Sequence, residues 1–99
     1  MKFGLSEKDI SYIKGVVSTF PEIDKVIIFG SRAMGNYKNG SDIDLAIHGT
    51  NITSRLIHEL HSNLEEDIPL PYFFDVLNYE TLGNDNLKSH ISKVGKRFY

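Results

Sequence analysis

The sequence has 99 residues, of which 40% are hydrophobic and 24% are charged, with no cysteine and a formal net charge of −2. This size and composition indicate one small globular domain spanning residues 1–99. The charge argues against the basic surface that sequence-independent nucleic-acid binding needs, so we expect no direct nucleic-acid binding. The sequence holds no apolar run long enough to span a membrane. The lack of cysteine makes a cytoplasmic location the default expectation.

The N-terminal segment predicts a helix followed by a buried strand. The residues Ser6–Asp9 have the pattern of a helix-capping box. Apolar residues at helical spacing follow as far as Phe20, where Pro21 is expected to end the helix. The run Lys25–Phe29 is almost continuously apolar, which is typical of a central strand covered on both faces.

The stretch from Gly30 to Leu45 reads GSRAMGNYKNGSDIDL and is the most informative part of the chain. It predicts a short helix over Ser31–Met34, a turn-rich loop, and a second strand over Asp42–Ile47. Alternate side chains of a strand share one face. We therefore expect Asp42 and Asp44 to point the same way, while the intervening apolar residues point into a core.

This arrangement of polar groups favours a site for a metal ion and a phosphate. Two carboxylates on one strand face repel each other unless a cation lies between them, and Mg²⁺ prefers such oxygen ligands. The turn at Gly30 and Ser31 opens a helix and offers N–H groups and a hydroxyl to a phosphate. Arg32 follows directly, and it either clamps a triphosphate oxygen or faces solvent. Carboxylates and a phosphate cradle together are typical of phosphoryl or nucleotidyl transfer.

The second half of the chain predicts a helix over Thr53–Glu65, a strand over Tyr72–Leu77 and a helix over Asn84–Val94. Asp75 is the only charge in the strand, and it suits a two-ion site as a third carboxylate. The last residues, Arg97–Tyr99, are expected to pack back against the body, with a frayed end as the alternative. The order of elements indicates an α/β (α+β) fold with a mixed β-sheet flanked by helices. The spacing leaves the relative direction of the first two strands open.

The remaining histidines and aromatic residues have simpler explanations. His58 and His61 have a spacing that zinc sites use, but nothing completes a tetrahedral ligand set, so we expect them at the rim of a helix. His48 and His90 are expected to be solvated surface residues. The aromatic run Tyr72–Phe74 is best explained by core packing, with base stacking as the alternative.

The order of strand, Gly30 and Ser31, helix, turn, and Asp42-x-Asp44 resembles the GS…DxD signature of the DNA polymerase β-like nucleotidyltransferase superfamily. It is similar in particular to the minimal nucleotidyltransferases (MNT proteins), which are often paired with HEPN proteins. Ten residues separate Ser31 from Asp42, within the spacing that the signature allows. The resemblance implies a polymerase β-like fold with an antiparallel component in its sheet. It also implies Asp42, Asp44 and Asp75 as catalytic, metal-binding carboxylates, with two Mg²⁺ ions.

The resemblance further implies a substrate and a partner. The substrate is ATP or another NTP, and the partner is an all-helical HEPN toxin that receives AMP on a tyrosine, with this chain as its antitoxin. A domain of this size leaves little room for an acceptor site, so we expect the partner protein to present the acceptor hydroxyl. Two alternatives stay open: a non-catalytic antitoxin that neutralises its partner by docking, and a subunit that transfers a nucleotide to a small molecule such as an aminoglycoside.

Overall fold

The computed structural model describes residues 2–99, which form four α-helices and four β-strands. The helices are α1 (Glu7–Val17), α2 (Gly30–Met34), α3 (Ser54–Glu66) and α4 (Asp85–Val94). The strands are β1 (Ile23–Phe29), β2 (Ile43–Gly49), β3 (Phe74–Asn78) and β4 (Lys96–Arg97), with a single 3-10 turn at Tyr79–Thr81. None of the helices formed by residues 2–99 has the length and apolar character needed to cross a membrane.

The four strands form one mixed sheet in the order β3-β2-β1-β4. Strand β1 runs antiparallel to both β2 and β4, whereas β2 and β3 are parallel. The parallel pair is joined through α3, since a parallel connection needs a crossover. The mixed sheet with flanking helices confirms the predicted fold class, including the antiparallel component.

Strand β2 separates the hydrophobic core into two parts because its side chains alternate between the faces of the sheet. Ile43, Leu45 and Ile47 are fully buried in the larger cluster, which includes residues of α1 and α3. Ala46 lies on the opposite face in a smaller cluster with Ile91 of α4. The apolar half of β2 is therefore committed to the core, which leaves Asp44 on the face that α4 only partly covers.

The helix boundaries follow the capping signals in the sequence. The Ser6 hydroxyl accepts from the Asp9 N–H at 3.0 Å, and the Asp9 carboxylate accepts from the Ser6 N–H at 3.2 Å, so the capping box is confirmed. Helix α1 ends at Val17, earlier than the predicted end at Phe20, because the residues after Val17 form turns before Pro21. Thr53 and Asn84 cap α3 and α4 with their side chains rather than lying within those helices.

Two strands begin later than predicted. Strand β2 begins at Ile43, so Asp42 lies in the loop that enters the strand and not in the strand itself. Strand β3 begins at Phe74 instead of Tyr72. The cause is the register of the parallel pair, in which Ile43 of β2 is opposite Phe74 of β3. The first hydrogen bond of this pair runs from the Ile43 N–H to the Phe73 carbonyl at 3.0 Å, and the residues before it are not paired.

The C-terminal segment packs back against the sheet, as predicted. Phe98 is 5% exposed and belongs to the larger core cluster. Its N–H donates to the Val26 carbonyl at 2.8 Å, and the Val26 N–H donates to the Tyr99 carbonyl at 3.0 Å. These bonds continue the antiparallel pairing of β4 with β1 to the end of the chain.

The burial of β2 predicts how the fold responds to a charge. Ile43→Asp would place a carboxylate where the side chain is fully buried, and an unpaired buried charge costs several kcal/mol out of a typical total stability of about 5–15 kcal/mol. We expect this variant to lack a cooperative thermal transition in circular dichroism. Met34→Asp is the matched control, because Met34 is 50% exposed and the same substitution there should leave the Tm nearly unchanged. A wild-type Tm for Ile43→Asp would contradict this account of the core.

Candidate active site

Three aspartates come together at one end of the sheet. Asp44 in β2 and Asp75 in β3 are directly opposite each other in the parallel register, and neighbouring strands lie about 4.8 Å apart. Asp42 enters from the loop before β2, two residues from Asp44, and its charge is close enough to raise the pKa of Asp44. Asp42 and Asp75 are exposed, while Asp44 between them is half-buried. The structure therefore brings together the three carboxylates that the sequence singled out.

Asp44 shows the electrostatic consequence of this crowding. Burial, together with the negative charges of Asp75 and Asp42, raises its pKa from the ordinary value of 3.8 to about 6. The nearby side chains of His90 and Arg32 act in the opposite direction on the same pKa but do not offset the increase. The repulsion expected from two carboxylates on one strand face is thus present, and the third carboxylate strengthens it.

The donor set at this site suits a hard divalent cation. Within residues 2–99, no group of three His, Cys, Asp or Glu side chains is already arranged with the geometry of a metal-binding cluster. The three aspartates nevertheless supply only oxygen donors, and the charges of Asp75 and Asp42 add to burial in raising the pKa of Asp44. Oxygen ligands that crowd negative charge in this way fit Mg²⁺. Asp42, Asp44 and Asp75 are therefore the residues that could hold it.

Gly30 lies against this cluster at the end of β1. Its φ of +72° is in the left-handed region, and a Cβ atom built on it would collide with the Asp44 carboxylate. The missing side chain thus leaves room for Asp44 next to the turn. Ser31 follows in the first turn of α2, where no side chain caps the helix N-terminus. The structure places Gly30 and Ser31 beside the carboxylates, as the phosphate hypothesis requires, and phosphate binding by them stays a prediction.

Arg32 is neither exposed nor free. It is only 3% exposed, so the expectation that it faces solvent is wrong. One guanidinium nitrogen donates to the Phe3 carbonyl at 2.8 Å, while its Nε and second terminal nitrogen donate to the Ser41 carbonyl at 3.0 and 2.8 Å. The guanidinium also lies 5.4 Å from the centre of the Tyr37 ring and 4.9 Å from that of Tyr72.

These contacts give Arg32 a structural task at the site. The Ser41 carbonyl that it holds immediately precedes Asp42, so the guanidinium fixes the direction from which the chain enters the carboxylate cluster. A buried guanidinium that satisfies backbone carbonyls has few donors left for a ligand. Contact between Arg32 and a phosphate stays a prediction, and its burial argues against that contact.

The expectation that His48 and His90 are solvated surface residues is wrong. His90 is half-buried, accepts a hydrogen bond from the Gly30 N–H at 3.3 Å, and sits edge-on to Phe29. His48 packs on Tyr79, with 4.3 Å between the ring centres, and burial lowers its pKa. Sequence reasoning missed His90 as a neighbour of the site, although its position three residues after the apolar Leu87 of α4 is a signal that it faces the sheet.

The other histidines and the aromatic run have mixed outcomes. His61 contacts the Phe74 carbonyl at 2.9 Å and Glu65 at 3.0 Å, which agrees with a position at the rim of α3. Core packing is confirmed for Phe74, which is 4% exposed, but it is wrong for Phe73, which is 70% exposed. Phe73 precedes the first residue of β3 and lies outside both core clusters.

The family comparison agrees with the order of these elements. Residues 11–99 match the family model described as "Polymerase beta, Nucleotidyltransferase". No curated protein gives a significant match to the chain.

Several solved structures have a similar fold. One is a toxin–antitoxin crystal structure with AMP-PNP, in which the similar chain has a TM-score of 0.74 and 22% identity over 96% of this chain and 73% of its own length. A second is the complex of a tri-AMPylated Shewanella oneidensis HEPN toxin with an MNT antitoxin, with a TM-score of 0.72 and 18% identity over 96% of this chain and 72% of the other. A third, assigned as a nucleotidyltransferase from Sulfolobus solfataricus, has a TM-score of 0.52 and 23% identity over 97% of this chain and 90% of the other. At these identities the likeness concerns the fold.

The raised pKa of Asp44 predicts a pH-dependent stability. Because the folded-state pKa of about 6 exceeds the ordinary value of 3.8, the folded protein binds this proton more tightly, and the resulting stabilisation is lost as the pH rises through 6. Two pKa units correspond to ~3 kcal/mol, which solvent screening at this half-exposed site reduces to about 1–2 kcal/mol. Asp44→Asn should remove this dependence. Urea unfolding of the metal-free protein should therefore show the variant gaining stability over wild type between pH 4 and pH 7, and a constant difference would contradict the prediction.

The contact between Gly30 and Asp44 predicts a contrast between two alanine substitutions. Gly30→Ala and Gly35→Ala both force a side chain into positive φ, which costs about 1–2 kcal/mol. Only at Gly30 does the new methyl group meet the Asp44 carboxylate, because nothing lies within 4 Å of a Cβ at Gly35. We expect Gly30→Ala to lose a further ~1–3 kcal/mol in urea unfolding, as overpacked sites do. Equal losses for the two variants would show that Gly30 is not packed on Asp44.

Proposed function

Because the chain belongs to the polymerase β nucleotidyltransferase family, we propose that it transfers AMP from ATP to a hydroxyl group of a partner protein. The observation that carries this proposal is the contact between two features that nucleotidyl transfer needs. The carboxylate of Asp44, with Asp42 and Asp75 close enough to raise its pKa, packs directly on the Gly30 turn that opens α2. A metal site and a phosphate site are thus adjacent, with no side chain between them.

The three aspartates have separate roles in the proposed reaction. Asp42 and Asp44 would hold both Mg²⁺ ions, and Asp75 would complete one of the two ligand sets. Bound Mg²⁺ neutralises charge on the phosphates and lowers the pKa of the attacking hydroxyl. Asp75 lies exposed on an outer strand of the sheet, where an acceptor arriving from solvent can reach it. We assign to Asp75 the further role of accepting the proton of the acceptor hydroxyl.

The transfer itself exchanges one bond for another at the α-phosphorus. The acceptor oxygen forms a bond to this phosphorus, the bond to the bridging oxygen breaks, and pyrophosphate leaves. The turn at Gly30 and Ser31 holds the departing phosphates: Ser31 supplies its N–H and hydroxyl, and Gly30 supplies space for Asp44. The contribution of the protein is mainly position and charge, which suits a reaction with little covalent chemistry for side chains to perform.

The proposed acceptor is a tyrosine of a HEPN-type helical toxin, for which this chain serves as the antitoxin. Support comes from the fold, which this chain shares with an MNT antitoxin bound to a tri-AMPylated HEPN toxin and with a toxin–antitoxin chain crystallised with AMP-PNP. The open side of the site offers further support. Phe73 lies two residues before Asp75 at the start of the outer strand β3, and its 70% exposure offers apolar surface near the proposed base.

Transfer to a partner is tested by mixing the chain with ATP, Mg²⁺ and a HEPN-type helical protein, chosen from the genes that neighbour the one for this chain. We expect intact-protein mass spectrometry under denaturing conditions to show the partner heavier by one or more AMP groups, and EDTA to prevent this change. The Asp42→Asn/Asp44→Asn double variant should bind the partner without modifying it. Asp24→Asn/Asp67→Asn, which alters two exposed aspartates away from the cluster, is the matched control and should transfer AMP normally.

The same experiment separates the alternatives. If the double variant neutralises the toxicity of an unmodified partner as well as wild type does, then docking alone accounts for the antitoxin. If AMP appears on an aminoglycoside in the absence of any protein partner, then the acceptor is a small molecule. Transfer by the double variant at the wild-type rate would show that these aspartates are not the catalytic carboxylates.

A further inference from the structure

A hydrogen bond joins the turn at the site to the last helix. The Gly30 N–H donates to Nε2 of His90 at 3.3 Å, across 60 positions of the sequence. An imidazole nitrogen accepts a hydrogen bond only when it carries no proton, so this contact requires the tautomer with its proton on Nδ1. The N–H of Gly30 is therefore occupied by a side chain of α4 and is not left open toward solvent.

The imidazole ring is held in place by its surroundings. It lies edge-on to the Phe29 ring, with 6.2 Å between ring centres and 82° between planes. The next residue, Ile91, is 4% exposed and packs in the smaller core cluster together with Phe29. Helix α4 is thus anchored to the sheet directly beside His90, which fixes the position of Nε2 relative to the end of β1.

The position of Gly30 determines the space that Asp44 has. The bare Cα of Gly30 is packed so closely on the Asp44 carboxylate that no Cβ fits between them. A small movement of the turn toward β2 would displace the carboxylate, and a movement away would leave it unsupported. The hydrogen bond to His90 ties the turn to α4 and so limits its movement relative to Asp44.

From these contacts we propose that His90 is a positioning residue for nucleotidyl transfer, which holds the Gly30 turn at the correct distance from Asp44. This inference rests on the proposed function. His90 acts through Gly30 and not on the nucleotide, so its loss should lower kcat and leave the KM for ATP nearly unchanged. A displacement of about 1 Å near reacting groups can cost up to 10²-fold in rate, and we expect a loss of about tenfold in kcat.

Two substitutions separate the acceptor atom from the ring. His90→Phe keeps an aromatic ring against Phe29 but removes the acceptor, whereas His90→Gln keeps an acceptor oxygen close to the position of Nε2 and removes the ring. We expect His90→Phe to lose about tenfold in kcat with the KM for ATP within threefold of wild type, and His90→Gln to retain kcat within threefold. His58→Phe, the same change at an exposed histidine of α3, is the control and should behave as wild type.

Three kinetic results would overturn the inference. A wild-type kcat for His90→Phe would show that the contact has no role in the reaction. An equal loss in His90→Gln and His90→Phe would show that the ring matters and not the acceptor. A lower KM for ATP in His90→Phe would show that His90 competes with the phosphates for the Gly30 N–H.

A measurement without nucleotide keeps this inference separate from the proposed function. In the NMR spectrum of the free protein, the Gly30 amide proton should move upfield and exchange faster with solvent in His90→Phe, and it should stay close to wild type in His90→Gln. Thermal melts establish that all variants are folded. If wild type transfers no AMP, the proposed function fails and the inference fails with it, whereas an unchanged Gly30 amide in His90→Phe overturns the inference even where transfer proceeds.

Discussion

The carboxylates at the start of β2 repel one another, and the rest of the structure has to hold them in place against this repulsion. The register of β2 with β3 places Asp44 opposite Asp75, and the loop that enters β2 brings Asp42 close enough to raise the pKa of Asp44. This crowding can persist because the other face of β2 is fully buried and cannot shift by one residue without exposing its apolar side chains. The core thus holds in place an arrangement that is unfavourable in the absence of a cation.

Two side chains of opposite hydrogen-bonding character brace the backbone around this cluster. Arg32 donates to carbonyl groups and fixes the loop that leads into Asp42. His90 accepts from an N–H group and fixes the turn that lies against Asp44. The first is carried by the short helix α2 and the second by α4, so the carboxylates are supported from two elements that are far apart in the sequence. The arrangement explains why so small a domain can hold charged groups in defined positions.

The sequence predicted the parts of the structure that depend on local pattern. Strand β2 and its buried face follow from the alternation of apolar residues, and the ends of the helices follow from caps such as Ser6. It predicted Asp42, Asp44 and Gly30 as parts of one site because only a short helix and a turn-rich loop separate the first two strands. The start of β3 and the exposure of Phe73 were not predictable in this way, since both depend on the register with a strand about 30 positions earlier.

The roles of Arg32 and His90 could not be predicted from local sequence patterns either, because their partners lie elsewhere in the chain. Arg32 donates to the backbone carbonyls of Phe3 and Ser41, and no sequence motif marks these residues as its partners. His90 contacts a backbone group, which any residue type supplies, at a separation of 60 positions. Only the assembled sheet and the docking of α4 decide which backbone groups these side chains meet.

The position of Asp75 has a consequence for solubility as well as for chemistry. Strand β3 is an outer strand of the sheet, with its free edge toward solvent, and such an edge can pair with a strand of another molecule. Asp75 is the only charge in β3, and stacking a second copy on this edge would bring two such charges together. The carboxylate therefore also protects the free edge from self-association. A cation bound there would weaken this protection, unless a partner protein covered the strand at the same time.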